Sequence, residues 1–124
     1  MSADNGVYIL VTLPKVDRVL NYEYRIVHSQ AIENIYYYKE GTALREAELV
    51  RYFGKAEVIT DYIQALVKAH ELEFEILKGI GILEYGVRTI QWPTVFPTMT
   101  SEEAEVILQT EYDRVFQQGS PGGI

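Results

Sequence analysis

A chain of 124 residues, 48% hydrophobic, 23% charged and 12% aromatic, is sized for one domain around one core. Eleven Lys and Arg against 18 Asp and Glu leave a net charge of −7, the wrong sign for a protein held on nucleic acid or anionic lipid by bulk attraction. The lack of cysteine excludes disulfides, thiolate zinc sites, iron–sulfur clusters and Cys nucleophiles.

No stretch approaches the roughly 18 apolar residues of a membrane span, and the first six residues have neither the basic nor the apolar part of a signal peptide. A cytoplasmic protein with no membrane contact is expected. Residues Val7 to Leu13, Val-Tyr-Ile-Leu-Val-Thr-Leu, are β-branched and aromatic, which predicts a strand apolar on both faces and therefore central. Pro14 ends it. After a solvated connection, Leu20, Tyr22, Tyr24, Ile26 and His28 alternate with Asn21, Glu23, Arg25 and Val27, a period of two that predicts a half-buried strand over 20–28 and an antiparallel hairpin with the first.

From Ser29 to Gly54 the pattern is harder to read. Ala31 to Ile35 fits one helical turn, Tyr36-Tyr37-Tyr38 favours an extended segment, and Lys39 to Thr42 reads as a turn. Ala43 to Phe53 then predicts a short helix that Gly54 stops, followed by a short strand over Ala56 to Thr60. The clearest helix spans Tyr62 to Lys78, with Thr60 or Asp61 as its cap. On a helical wheel Ile63, Leu66, Val67, His70, Phe74 and Leu77 share one face, the expected core face, opposite Gln64, Lys68, Glu71, Glu75 and Lys78. Gly79 and Gly81 end it. A strand is expected over Leu83 to Trp92, closed by Pro93, and it could pair in parallel with Ala56 to Thr60 across the helix. A last helix covers Glu102 to Gln117, for which Thr100 and Ser101 compete as N-cap, and residues 119–124 read as a tail. The expected fold is a single α+β domain over residues 1–118, a mainly antiparallel sheet of three to four strands with two main helices packed on one face.

Catalytic and metal constellations are poorly represented. The two histidines, His28 and His70, form no close-spaced ligand pair, so no metal or cofactor is expected. Ser29 beside His28 points to the opposite strand face and cannot make a triad with it, and Gly79-Ile80-Gly81 follows a helix where a dinucleotide fingerprint follows a strand. Glu111, set among Ala104, Ile107, Leu108 and Val115, and His70 each intrude on an apolar stripe, so each is expected to find a polar partner, either the other side chain or a backbone group or water. The ten tyrosines are the most unusual feature, because a tyrosine pairs apolar area with a hydrogen-bonding tip and suits interfaces. The binding candidates are Tyr36, Tyr37, Tyr38, Tyr22, Tyr24 and Arg25. The acidic helix residues could alternatively mimic DNA phosphates, although a solvated helix face explains them more simply.

The segments Ser2-Ala-Asp-Asn-Gly-Val-Tyr-Ile-Leu-Val-Thr, Glu23-Tyr-Arg-Ile-Val-His, Gln30-Ala-Ile-Glu-Asn-Ile and Glu84-Tyr-Gly-Val-Arg-Thr-Ile together resemble small uncharacterised proteins encoded by bacteriophages and prophages. The similarity covers about the first 92 residues. It implies an accessory protein that binds a host factor, a group that includes inhibitors of bacterial defence systems. The expected function is accordingly a non-enzymatic protein acting by stoichiometric binding to a host protein. The alternatives are a sponge for a nucleotide signal, using tyrosines with Arg25, Arg51 or Arg88, and a virion or assembly component, with homo-oligomerisation open.

Overall fold

The run Val7–Leu13 forms β1, and in the computed structural model, which describes residues 6–14, 21–28, 32–80 and 86–119, it is the middle of a three-stranded sheet ordered β2-β1-β3. All of β1 except Leu13 is buried, as a strand apolar on both faces requires. Antiparallel to it runs β2, Glu23–His28, with Leu10 opposite Arg25 and Tyr8 opposite Val27. On the other edge β3, Val87–Val95, runs parallel, with Leu10 opposite Ile90 and Tyr8 opposite Arg88. The sheet is therefore mixed and not mainly antiparallel, because the chain crosses the sheet as a long helix before it enters β3.

The expected strand over Ala56 to Thr60 reduces to a single bridge. Ile59 exchanges backbone hydrogen bonds of 2.8 and 2.9 Å with Tyr24, and since Ile59 is the one buried residue of that segment, the chain touches the β2 edge at one point. Within the hairpin, β2 starts at Glu23; Asn21 and Tyr22 are exposed outside it, while Leu20 and the connection before it lie outside the described residues, as do 83–85 of the strand expected over Leu83 to Trp92 and 120–124 of the expected tail, whose first residue, Gly119, belongs to the last helix. Pro93 does not close β3, which continues to Val95 beyond a register shift opposite Val11 and Leu13. As β3 is an edge strand, a residue without an N–H is tolerated there.

Helices cover both faces of the sheet, where one covered face was expected. Tyr8 and Leu10 pack with Trp92 against Ile35 of α1, Ile32–Tyr37, and Leu49, Val50 and Phe53 of α2, Ala43–Phe53. Against α2 lies α4, Ser101–Gly119, which reaches the same core through Ala104 and Leu108. The other face, Val7, Ile9 and Val11, is covered by α3, Tyr62–Ile80, through Ala69 and Ile76. A β1 that alternates two apolar sets needs a cover on each side, and this is what the strand's composition demands.

Tyr36 and Tyr37 belong to α1 and are not extended. Burial of Ile35, with Ile32 packed beside it, decides the local conformation over the strand preference of the tyrosines. The bounds expected for α2 are observed, with the Thr42 hydroxyl accepting from the Arg45 N–H and the Gly54 N–H reaching the Val50 carbonyl at 2.7 Å. A Cβ on Gly54 would stand 2.5 Å from that carbonyl oxygen, so glycine is required there by close approach. Asp61 caps α3 by accepting from the Ile63 N–H at 3.0 Å.

Candidate binding surfaces

The outward side of α3 is the first surface. The expected core face is turned outward: Ile63 and Phe74 are 65% and 69% exposed and Val67 is exposed as well, while the small residues Ala65 and Ala69 are fully buried, and Ala69 and Ile76 pack with Val7, Ile9 and Val11 of the sheet. On the wheel the helix is rotated by about 140° from the orientation its largest side chains suggest. Ile63, Leu66, Val67, His70, Glu71 and Phe74 line a shallow concavity of about 520 Å³. His70 is not a core residue. Its exposed ring pairs with Glu73 at 2.8 Å, and Glu111 is held bidentately by Arg114 at 2.7 and 3.0 Å on the opposite side of the sheet, so of the expected alternatives the meeting of His70 and Glu111 does not occur and each has a side-chain partner on its own helix.

The second surface is a cleft of about 620 Å³ between the end of α1 and the helices α2 and α4. Tyr37, Tyr38, Tyr112 and Phe116 supply its aromatic walls, and Glu48, Arg51 and Glu111 its charges. Tyr37 is 80% exposed and stands edge-on to Tyr38 with ring centres 5.1 Å apart; Tyr112 and Phe116, one helical turn apart, lie at 4.6 Å. Arg51 spans from α2 to α4, its Nε and Nη2 donating to the two carboxylate oxygens of Glu105 at 3.3 and 3.2 Å, and this pairing raises its pKa. Glu48 is the buried charge of the cleft. Its side chain is 7% exposed, its Oε1 lies 3.7 Å from Arg51 Nη1, and that oxygen receives no hydrogen bond. Burial raises the Glu48 pKa against the pull of Arg51. Burial likewise raises Tyr38, reinforced by Glu48 and Glu111.

The six expected binding residues do not form one patch. Tyr37 and Tyr38 line the cleft, whereas Tyr36 lies against Trp92 at 6.5 Å with the Arg45 guanidinium 4.5 Å above its ring. Successive residues of a helix diverge by about 100°, which turns Tyr36 away from Tyr37 at the end of α1. Tyr24 packs on Tyr62 at 5.4 Å on the α3 side of the sheet, and Tyr22 is exposed ahead of β2. Arg25 is a core residue, 5% exposed, and not a surface one. The arginines of the nucleotide alternative are likewise dispersed: β1 separates Arg25 from Arg88, and Arg51 is engaged by Glu105.

Glu48, Tyr112 and Phe116 were not among the sequence candidates. Glu48 follows Leu44 by four residues and so shares its side of α2, and Tyr112 and Phe116 form an i, i+4 aromatic pair; both signals were present in the sequence. Among the described residues no three His, Asp or Glu gather as metal ligands, and no helix is long and apolar enough to cross a membrane. Comparison with protein-family models, curated proteins and solved structures found no match.

Proposed function

We propose that the protein acts by stoichiometric binding to another protein, without chemistry on it. The outward stripe of α3 carries this reading. A helix that covers a sheet ordinarily turns polar residues to solvent, yet Ile63, Val67 and Phe74 stand exposed there, rimmed by Gln64, Glu71 and Glu75. Apolar patches of this kind, with an aromatic anchor and a charged rim, are where proteins dock. The resemblance to phage products supplies the context: the partner is a bacterial host protein, and occupation of its surface inhibits it.

The test is a photo-crosslinking amino acid placed at position 74, and at position 55 as an exposed control, in protein expressed in bacterial cells. One discrete adduct with a host protein from position 74, missing from position 55 and lost when Ile63→Glu is added, is the expected result. Adducts equal at both positions, or none at 74, refute the reading. An adduct with a second copy of the chain replaces host binding by self-association.

A further inference from the structure

We infer that the cleft between α1, α2 and α4 receives an arginine side chain presented by a peptide segment of the bound protein. The inference rests on the protein-binding reading above and adds a second contact to it, on the face of the sheet opposite α3.

The cleft holds a buried carboxylate in want of a hydrogen-bond donor. Glu48 is more than nine-tenths buried, and its Oε1 accepts no hydrogen bond. A buried carboxylate without a donor is costly to the folded chain and is ordinarily matched. Arg51 supplies the match only in part: two of its nitrogens are committed to Glu105, and the third makes an ion pair with Glu48 Oε1 at 3.7 Å without a hydrogen bond. The other carboxylate of the cleft, Glu111, already has its own arginine in Arg114. One guanidinium, Arg51, is thus shared between Glu105 and Glu48, Arg114 is paired with Glu111, and the cleft keeps one negative charge in excess, on the side of Glu48 whose oxygen lacks a hydrogen bond.

The walls suit the same ligand. Tyr37, Tyr38, Tyr112 and Phe116 present ring faces and edges around the opening, and a planar guanidinium stacks on such rings while its N–H groups reach a carboxylate. The protein uses this pairing internally, with Arg25 over Phe96 at 3.8 Å and Arg45 over Tyr36 at 4.5 Å. A phosphate would meet the opposite situation, entering beside Glu48 and Glu111 with Arg51 already engaged. The −7 net charge of the chain favours approach of a basic segment over long range.

The probe is the heptapeptide Gly-Ser-Gly-Arg-Gly-Ser-Gly, titrated into ¹⁵N-labelled full-length protein and followed by amide shifts. Matched peptides carry norleucine or glutamate at the centre, and guanidinium chloride and AMP are titrated separately. Saturable shifts confined to the end of α1 and to α2 and α4 are expected with the arginine peptide. Norleucine in its place, or Glu48→Gln in the protein, should weaken binding about tenfold, the scale of a hydrogen bond to a charged group. Tyr37→Ala, at an exposed position that folding does not depend on, should weaken it about threefold and keeps the test decisive if Glu48→Gln does not fold. Equal binding of arginine and norleucine peptides, stronger shifts from AMP at the same amides, or guanidinium alone binding as tightly as the peptide each overturn the inference. Failure of the arginine peptide while position 74 still crosslinks a host protein overturns this contact and leaves the protein-binding reading in place.

Discussion

The guanidinium carbon of Arg25 lies 3.8 Å from the centre of the Phe96 ring, and its Nη1 donates to the Thr12 hydroxyl at 3.3 Å. A charged side chain thereby fills a place in the sheet face that carries Tyr8 and Leu10. Burial pulls its pKa down, and Glu23, 3.6 Å from Nη2, pushes it back up. Removing the side chain takes a donor from Thr12, takes the ion pair from the Glu23 carboxylate and leaves Phe96 unstacked. Arg25→Ala is expected to cost about 2–4 kcal/mol in urea unfolding. Arg25→Lys should recover less than half of it, since an ammonium cannot stack as a planar fork. A loss below about 0.5 kcal/mol for Arg25→Ala would mark it as the surface residue that its sequence position suggested.

At the start of α4 the Thr100 hydroxyl accepts from the Glu103 N–H at 3.1 Å, and the Glu103 carboxylate accepts from the Thr100 N–H at 2.9 Å. This reciprocal pair decides between the two adjacent candidates for the cap. Thr100→Ala should cost about 1 kcal/mol and Ser101→Ala no more than a few tenths. Equal losses in thermal melts would contradict the assignment.

Local signals of this kind were legible. The double-faced composition of Val7–Leu13, the bounds of α2 and the cap at Asp61 are written in neighbouring residues, and the structure has each of them. What the sequence did not disclose depends on contacts between distant segments. The parallel entry of β3 is decided by where α3 delivers the chain, and the helical state of Tyr36 and Tyr37 by burial of Ile35. The facing of α3 was misread for a further reason: periodicity reports that a stripe is apolar and not what covers it.

That facing is directly testable. Ala69 is fully buried among Val7, Ile9 and Val11 of the sheet, and Ala65 is fully buried as well, so α3 approaches closely and has no room for a larger side chain at position 69. Ala69→Leu should cost about 1–3 kcal/mol by overpacking. Phe74→Ala removes a far larger side chain, yet from an exposed site, and should change stability by no more than about 0.5 kcal/mol. The reverse order of effects would restore the orientation in which Phe74 is core, and with it would remove the exposed stripe on which the proposed function stands.

Glu48 gives a prediction whose sign follows from its burial. The ordinary glutamate pKa is 4.5 and burial raises that of Glu48 in the folded chain, so between 4.5 and the raised value the native state holds more protons than the unfolded state. Stability contributed by this group therefore falls as pH rises through that window, and the full penalty of the buried charge is felt above it. Other groups around the cleft titrate too: Glu111 is lowered by its hydrogen bonds to Arg114, so its contribution is lost as pH falls, the opposite direction. Arg51, raised by its hydrogen bonds to Glu105, and Tyr38, raised by burial, face the same cleft, and all of these groups are retained in Glu48→Gln, so the difference between the two proteins isolates position 48. At pH 7 the glutamine variant is expected to be more stable by about 1 kcal/mol, the lower end of the cost of a buried group without a partner. That advantage should shrink as pH is lowered and vanish below 4.5, where Glu48 is protonated in both states. Urea unfolding of both proteins between pH 4 and 8 measures it. A variant that is less stable at pH 7 and gains as pH falls would show that Arg51, at 3.7 Å, already satisfies the carboxylate, and the vacancy for an incoming cation would be gone.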